Sequence, residues 1–197
     1  MRIIGLTGSI GMGKTTTADM FRSFGVPVFD ADAVVHSLYQ NDKQLIEQIE
    51  RLFPNTTNKG FVDRKILSDQ LRKSPNRLRD IERLVHPRVR ACRDEFVQKA
   101  EDEKHPLVVF DIPLLFETGS KHEVDLVLVC AAPRYVQYER VMKRSDMNLN
   151  LFLMILSRQM PNRIKCRHAD IVIMTDLGLE HARNRVKASI NILSDHS

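Results

Sequence analysis

The segment that most restricts what this chain can become is Gly8-Ser9-Ile10-Gly11-Met12-Gly13-Lys14-Thr15. It fits G-x-x-x-x-G-K-[ST] and lies between an apolar run, Ile3 to Thr7, and a stretch from Thr15 to Phe24 that reads as a helix. Glycines at the fixed positions let the backbone curl until consecutive N–H groups point at phosphate oxygens, where a side chain would block the approach. Lys14 then brings positive charge to the β- and γ-phosphates, and the Thr15 hydroxyl is placed to ligate Mg²⁺. Gly8, Gly11, Met12, Gly13, Lys14, Thr15 and Thr16 are therefore the expected nucleoside-triphosphate contacts.

Further apolar runs of strand length recur at Val26 to Phe29, Leu107 to Phe110, Leu126 to Val129 and Ile171 to Met174. They are continuous, as strands buried on both faces are, and the segments between them carry helical spacing. An α/β fold with a parallel sheet covered on both sides is predicted. Gly25 reads as the left-handed stop of the first helix and Pro27 as the opening of the second strand. Between Asp30 and Leu107 the sequence predicts a helical insertion. Leu45, Ile46, Ile49 and Phe53 share a face, Pro54-Asn55 breaks it, and Asp63, Ser68 or Asn76 can each cap a further helix. His86-Pro87 reads as a boundary before an amphipathic stretch through Phe96. A second excursion, Arg144 to His168, is basic, and its stripe Leu149, Phe152, Leu153, Leu156 is expected to pack. The expected organisation is a single domain over 1–197: core 1–32, 106–143 and 169–197, helical subdomain 33–105, lid 144–168.

With 30 Lys plus Arg against 25 Asp plus Glu, the formal net charge is +5, which favours polyanionic ligands. Aromatic residues are 6% and Trp is absent, so the sequence shows no obvious stacking platform for single-stranded nucleic acid. Basic residues concentrate between Arg64 and Arg93, including Arg72, Lys73, Arg77, Arg79, Arg83, Arg88 and Arg90. A nucleic-acid face or a site for a phosphate-bearing small molecule would each account for them. No apolar run nears the roughly 18 residues that cross a bilayer, and Gly8 to Lys14 cuts the apolar start short of a secretory core. Cys92, Cys130 and Cys166 stand far apart, outside any metal-binding spacing, and read as reduced thiols. A cytoplasmic protein is expected.

A phosphate loop does not name a reaction. GTP-binding proteins add N-K-x-D and D-x-x-G elements; here Asn58-Lys59 runs into Gly60-Phe61, and no Asp has Gly three positions on. Motor and AAA-type ATPases need longer domains, which leaves a small kinase. Asp30-Ala31-Asp32 closes the second strand, where ligands gather in parallel sheets. One aspartate is expected to cap the next helix. Strand alternation sets the two on opposite faces, and Asp32 is preferred as the carboxylate that takes the acceptor's proton or holds magnesium waters. Arg140 and Arg144 share a helix face, with Arg140 assigned to catalysis. Any one of the lid residues Arg158, Arg163, Lys165 and Arg167 reads as solvated charge.

Taken in order, Gly5-Leu6-Thr7-Gly8-Ser9-Ile10-Gly11, Asp30-Ala31-Asp32, Leu84-Val85-His86-Pro87, Pro113-Leu114-Leu115-Phe116-Glu117, Gln137 with Arg140 and Arg144, Gln159-Met160-Pro161 and Ala169-Asp170 resemble the dephospho-CoA kinase family over about residues 2 to 190. The resemblance implies ATP-dependent phosphorylation of the ribose 3′-hydroxyl of dephospho-CoA, the last step of coenzyme A synthesis, with Mg²⁺. It implies a P-loop NTPase three-layer fold with a five-stranded parallel sheet, a helical acceptor-binding insertion after D-A-D, and a lid. Carried onto this sequence, it sets the loop Pro113, Leu114, Leu115 and Glu117 against the acceptor. Asp32, Arg64 and His86 are further acceptor candidates, His86 against the alternative of a local hydrogen-bond partner at a helix boundary, and Arg144 and Gln159 are the lid candidates. For magnesium the candidates are Thr15 and Asp111, which in a Walker-B-like position either reaches the ion through water or is a capping or buried hydrogen-bonded aspartate. Ser9 stands where the family usually has Gly and Met12 where it often has Ser. The implied partners are ATP and dephospho-CoA, with neither nucleic acid nor membrane, and one copy suffices for the chemistry. Two alternatives stay open: a kinase for a nucleoside or nucleoside monophosphate, and a nucleotide-dependent nucleic-acid-binding or regulatory protein.

Overall fold

The computed structural model describes residues 1–194. In it β1 (Arg2–Thr7) leads into α1 (Lys14–Ser23) and β2 (Val28–Asp30). Then come α2 (Ala31–Asn41), α3 (Lys43–Leu52), a hairpin of β3 (Thr57–Asn58) and β4 (Phe61–Val62), α4 (Arg64–Lys73) and α5 (Leu78–Asp102). β5 (Leu107–Asp111), β6 (Leu126–Ala131), α6 (Arg134–Met142), α7 (Leu149–Arg158), α8 (Asn162–Arg167), β7 (Ile171–Met174) and α9 (Leu179–Ser194) follow. The chain divides into two compact units, Met1–Phe29 with Lys99–Ser197, and Asp30–Gln98. No helix among the described residues is long and apolar enough to cross a membrane.

The first unit is organised by a five-stranded sheet in the order β2-β5-β1-β6-β7. β1 pairs parallel with β5 and β6, and β6 with β7. One face buries Ile4, Leu6, Leu128, Cys130 and Ile173 with Phe21 of α1 and Val186 of α9. The other buries Val127 and Val129 against Leu115. Successive residues of β6 thus point to opposite faces that are both apolar, which is why the sequence shows an unbroken run. Gly5 fits the same packing, since a Cβ there would stand 3.0 Å from Leu115 Cδ2 and Val124 Cγ2. Pro27 stays outside the strand it was expected to open, and its carbonyl accepts the Val109 N–H at 2.9 Å.

In the second unit, aspartates start the helices. Asp30 accepts from Ala33 N–H, Asp42 from Leu45 N–H, and Asp63 from the N–H groups of Lys65 and Ile66. The helices close on Tyr39, Leu45, Ile49, Phe53, Leu67 and Val85. Two expectations need correction. Ser68 lies inside α4 and Asn76 in a 3-10 turn, Pro75–Arg77, so Asp63 alone does the capping. His86-Pro87 is no boundary either, because α5 continues through Pro87 for 25 residues. An interior proline lacks the N–H for the carbonyl four residues back and costs about 3 kcal/mol. Burying Ile81 and Val85, at about 1.5–3 kcal/mol each, offsets this, and Arg88 Nη1 donates to the Leu84 carbonyl at 2.8 Å. The β3–β4 hairpin has strands too short to leave a pattern in sequence. Glu50 holds it, its carboxylate accepting the N–H groups of Asn55 at 2.7 Å, Thr56 at 3.1 Å and Thr57 at 2.9 Å.

Candidate active site

The phosphate loop joins β1 to α1, with Gly11 at φ +78° and Gly13 at φ +84°. Space is as restrictive as conformation: a Cβ at Gly11 would stand 2.7 Å from Val141 Cγ2, and one at Gly13 3.0 Å from Thr175 Oγ1. α1 has Gly13 as its N-cap and no side chain on its first amides. These N–H groups, at the positive end of the helix dipole, are available to an anion. Lys14 Nζ forms an ion pair with Asp111 at the end of β5, and Asp111 is only 5% exposed. Thr15 and Thr16 are exposed at the helix start. Met12 turns inward, its Sδ accepting Ala132 N–H at 3.2 Å, so it offers a ligand backbone alone.

Two elements brace the loop from outside. Gln137 of α6, itself buried, donates to the Ile10 carbonyl at 2.7 Å. Arg140 donates to Thr175 through Nη1 to Oγ1 at 2.8 Å and through Nη2 to the carbonyl at 2.7 Å, and reaches the Gly11 carbonyl at 3.5 Å. The Thr175 hydroxyl donates to the Met12 carbonyl at 3.0 Å. Arg144 lies beyond the C-cap of α6 at Lys143, so it does not share a helix face with Arg140 as expected, and it is exposed. Beside Thr175, Asp176 Oδ1 is the buried side-chain atom without a hydrogen-bond partner among the described residues.

The segment 144–168 also meets the phosphate loop. Ser9 N–H donates to Asn162 Oδ1 at 3.0 Å and Ile10 N–H to Gln159 Oε1 at 2.9 Å. Three expectations change here. Lys165 is fully buried rather than solvated, paired with Glu117, because α8 turns it inward under the loop after β5. Leu115 is fully buried against the sheet and cannot present its side chain to an acceptor, whereas Leu114 is 39% exposed. In the stripe of α7, Phe152 packs, near the Tyr138 ring, while Leu149 and Leu153 are half exposed. Glu117 is engaged inward, with both oxygens on Lys165.

Asp32, Arg64 and His86 belong to the second unit. Asp32 lies in the first turn of α2 and not in the strand, so alternation along a strand does not separate it from Asp30. The cap, taken by Asp30, leaves Asp32 without that duty. Arg64 sits near Tyr39, whose hydroxyl is pushed up by burial against the opposing pull of that guanidinium. His86 lines an open groove of about 700 Å³ along one face of α5, with Arg79, Arg83, Arg90, Glu82 and Asp94. Other arginines of this stretch have structural partners: Arg88 holds Asp42 at 2.8 Å, and Arg77 donates to the Leu52 carbonyl at 2.6 Å.

Sequence reasoning missed Thr175, Asn162 and the buried state of Lys165. Thr175 immediately follows the last strand, so the rule that ligands gather at carboxyl ends would have found it. Nothing in the composition of α8 distinguishes Lys165 from its exposed neighbours.

The family model described as dephospho-CoA kinase matches residues 2–181. A dephospho-CoA kinase of Agrobacterium fabrum is 48% identical over 187 residues, 95% of each chain. One of Rhizobium meliloti is 45% identical over 193 residues, 98% of each chain. A crystal structure from Thermus thermophilus aligns with TM-score 0.86 at 36% identity, covering 97% of this chain and 96% of that one. The structure of dephospho-CoA kinase from Campylobacter jejuni aligns over 98% of both chains with TM-score 0.68 at 23% identity, a likeness of fold.

Proposed function

This chain belongs to the dephospho-CoA kinase family, and from that premise we propose that it transfers the γ-phosphoryl group of ATP to the ribose 3′-hydroxyl of dephospho-CoA, giving coenzyme A and ADP. The observation that carries the reading is Lys14, held by the buried Asp111 directly beside the uncapped start of α1. Phosphoryl transfer asks a protein chiefly for positioning and for charge where the equatorial oxygens become negative. The amides of α1 hold the phosphates, and Lys14 turns from Asp111 to the β- and γ-oxygens when they arrive. Arg140, fixed by Thr175, lays a guanidinium beside the loop in a set orientation, so no side chain needs to reorganise around it.

Asp32 accepts the acceptor hydroxyl's proton or orients that hydroxyl. In the second unit, Arg64 and the groove of Arg79, Arg83, His86 and Arg90 offer positive charge suited to the acceptor's pyrophosphate. In the first, Pro113 and Leu114 on the loop after β5 are the acceptor candidates. Arg144 and Gln159 act from the lid. Thr15 hydroxyl and Asp111 carboxylate offer oxygen ligands that suit Mg²⁺, a hard cation that keeps most of its shell as water and phosphate oxygen. The ion would neutralise charge on the β- and γ-phosphates. Asp176 Oδ1 gives a donor of the bound nucleotide a buried acceptor otherwise left unsatisfied, at a cost of about 1–3 kcal/mol. One copy of the chain, in the cytoplasm, is enough for this reaction.

The test is an acceptor screen with purified protein and Mg²⁺-ATP. Remote contacts to the acceptor position its hydroxyl, so truncated acceptors lose kcat as well as KM. Dephospho-CoA should exceed AMP and adenosine in kcat/KM by at least about a hundredfold. Preference for a nucleoside or nucleotide would replace the acceptor and keep the kinase; no turnover of any small acceptor would favour the regulatory alternative.

A further inference from the structure

Lys165 stands at the centre of a polar network that ties the loop after β5 to the lid, and the lid to the phosphate loop. Its side chain is 0% exposed, whereas Arg163 and Arg167 of the same helix face solvent. A lysine carried out of water costs several kcal/mol unless it is paired and hydrogen-bonded. This one donates to Glu117 Oε1 at 2.9 Å, Glu117 Oε2 at 3.2 Å and the Pro113 carbonyl at 3.0 Å, which accounts for its three protons. The Pro113 carbonyl also accepts the hydroxyl of Thr7, the residue before the phosphate loop, at 3.0 Å. Glu117 Oε1 accepts Met160 N–H at 2.7 Å, and the Met160 carbonyl accepts the Ser9 hydroxyl at 3.4 Å. From Pro113 to Ser9 each residue is linked to the next by a polar contact, through Lys165, Glu117 and Met160 in turn.

Stability alone gives little reason for such a pair, because apolar residues of similar volume often serve a buried site as well or better. What apolar packing cannot do is fix a carbonyl, a carboxylate and an amide in one register. We propose that Lys165 is a positioning residue for phosphoryl transfer, setting the acceptor-side loop Pro113–Glu117 in a register dictated by the phosphate loop without itself touching substrate. The proposal rests on the kinase reading above. Misplacement of reacting groups by about 1 Å can cost about a hundredfold in rate, so the lesion should appear in kcat.

Lys165→Met should therefore keep ATP-analogue affinity within about threefold while kcat for dephospho-CoA falls about ten- to a hundredfold. A kcat within about twofold of the unaltered enzyme overturns the proposal. If the single variant does not fold, Lys165→Met with Glu117→Gln removes both buried charges and keeps the volume. Low kcat in the folded double variant supports positioning. Recovery of the unaltered kcat assigns Lys165 to charge neutralisation alone and overturns it. In the unaltered enzyme, ADP, which lacks the transferred group, should slow hydrogen exchange at residues 113–118, and unchanged exchange there with ADP bound breaks the link. That measurement needs no turnover, so its failure is distinct from a failure of the acceptor assignment, which the unaltered enzyme's activity reports.

Discussion

The two units are ordered by different means. In the first, apolar side chains on both faces of a parallel sheet fix the strands, and the polar groups at the strand ends are left for other work. In the second, helix starts are held by carboxylates of the unit itself, Asp30, Asp42 and Asp63, and a hairpin by Glu50. The contrast is sharpest at the helix starts: α1 opens on a glycine with bare amides, while α2, α3 and α4 have theirs already occupied. An anion site needs the first arrangement and a small helical unit needs the second.

The largest expected effect lies in the first unit. Lys14→Ala should lower phosphoryl transfer about a hundred- to a thousandfold, because it removes charge aimed at the transferring group. A cooperative melt should persist, since the sheet core contains no part of Lys14. Activity within tenfold of the unaltered enzyme, measured on folded protein, would count against the loop as the phosphate site.

Next comes the aspartate pair at the start of the second unit. Asp32→Asn should reduce kcat about a hundredfold with nearly unchanged ATP affinity. Asp30→Asn should be milder, because an asparagine still caps α2. If Asp30 proved the more damaging site in kcat, the carboxylate that meets the acceptor would be the capping one.

Acid should give the smallest effect, and it should separate the units. Burial pushes the Asp42 carboxyl up, but bonds from Leu45 N–H and Arg88 hold it below its ordinary value of 3.8. The Asn55 N–H, with help from Thr57 and Thr56, likewise holds Glu50 below 4.5. For groups whose folded pKa is depressed, the stabilisation is complete above the ordinary value and is lost as pH falls through the folded one. Hydrogen exchange should therefore show α3 and the β3–β4 hairpin opening below about pH 4 before β1, β5 and β6 do. Simultaneous opening would mean the carboxylates contribute nothing particular to the second unit.

The same division explains what the sequence revealed. The sheet and the phosphate loop are legible because continuous apolar runs and a glycine pattern are local signals, and they place Lys14 and Thr15 correctly on a strand–loop–helix. Much of the second unit depends on events that leave no local trace. Pro87 reads as a boundary because the burial that outweighs it comes from residues far away in sequence, such as Leu45 and Phe53. Lys165 reads as solvated charge because its partner, Glu117, lies 48 residues earlier. Among the basic residues, only coordinates separate Arg88, bound to Asp42, from Arg83 and Arg90 in the groove.

The cysteines have a practical consequence. Cys130 is shut inside the sheet core, and burial pushes its thiol up to about 12, so at neutral pH almost none of it is the reactive thiolate. Cys92, in the second unit, and Cys166, in α8 of the first, are each partly exposed, with burial raising the Cys166 thiol above its ordinary value. Maleimide dyes added in stages should therefore mark the two units separately, Cys92 first and Cys166 more slowly, while Cys130 stays silent. The sequence thus carries a donor and an acceptor position for fluorescence energy transfer, and the distance between residues 92 and 166 can be followed through turnover without introducing a single mutation.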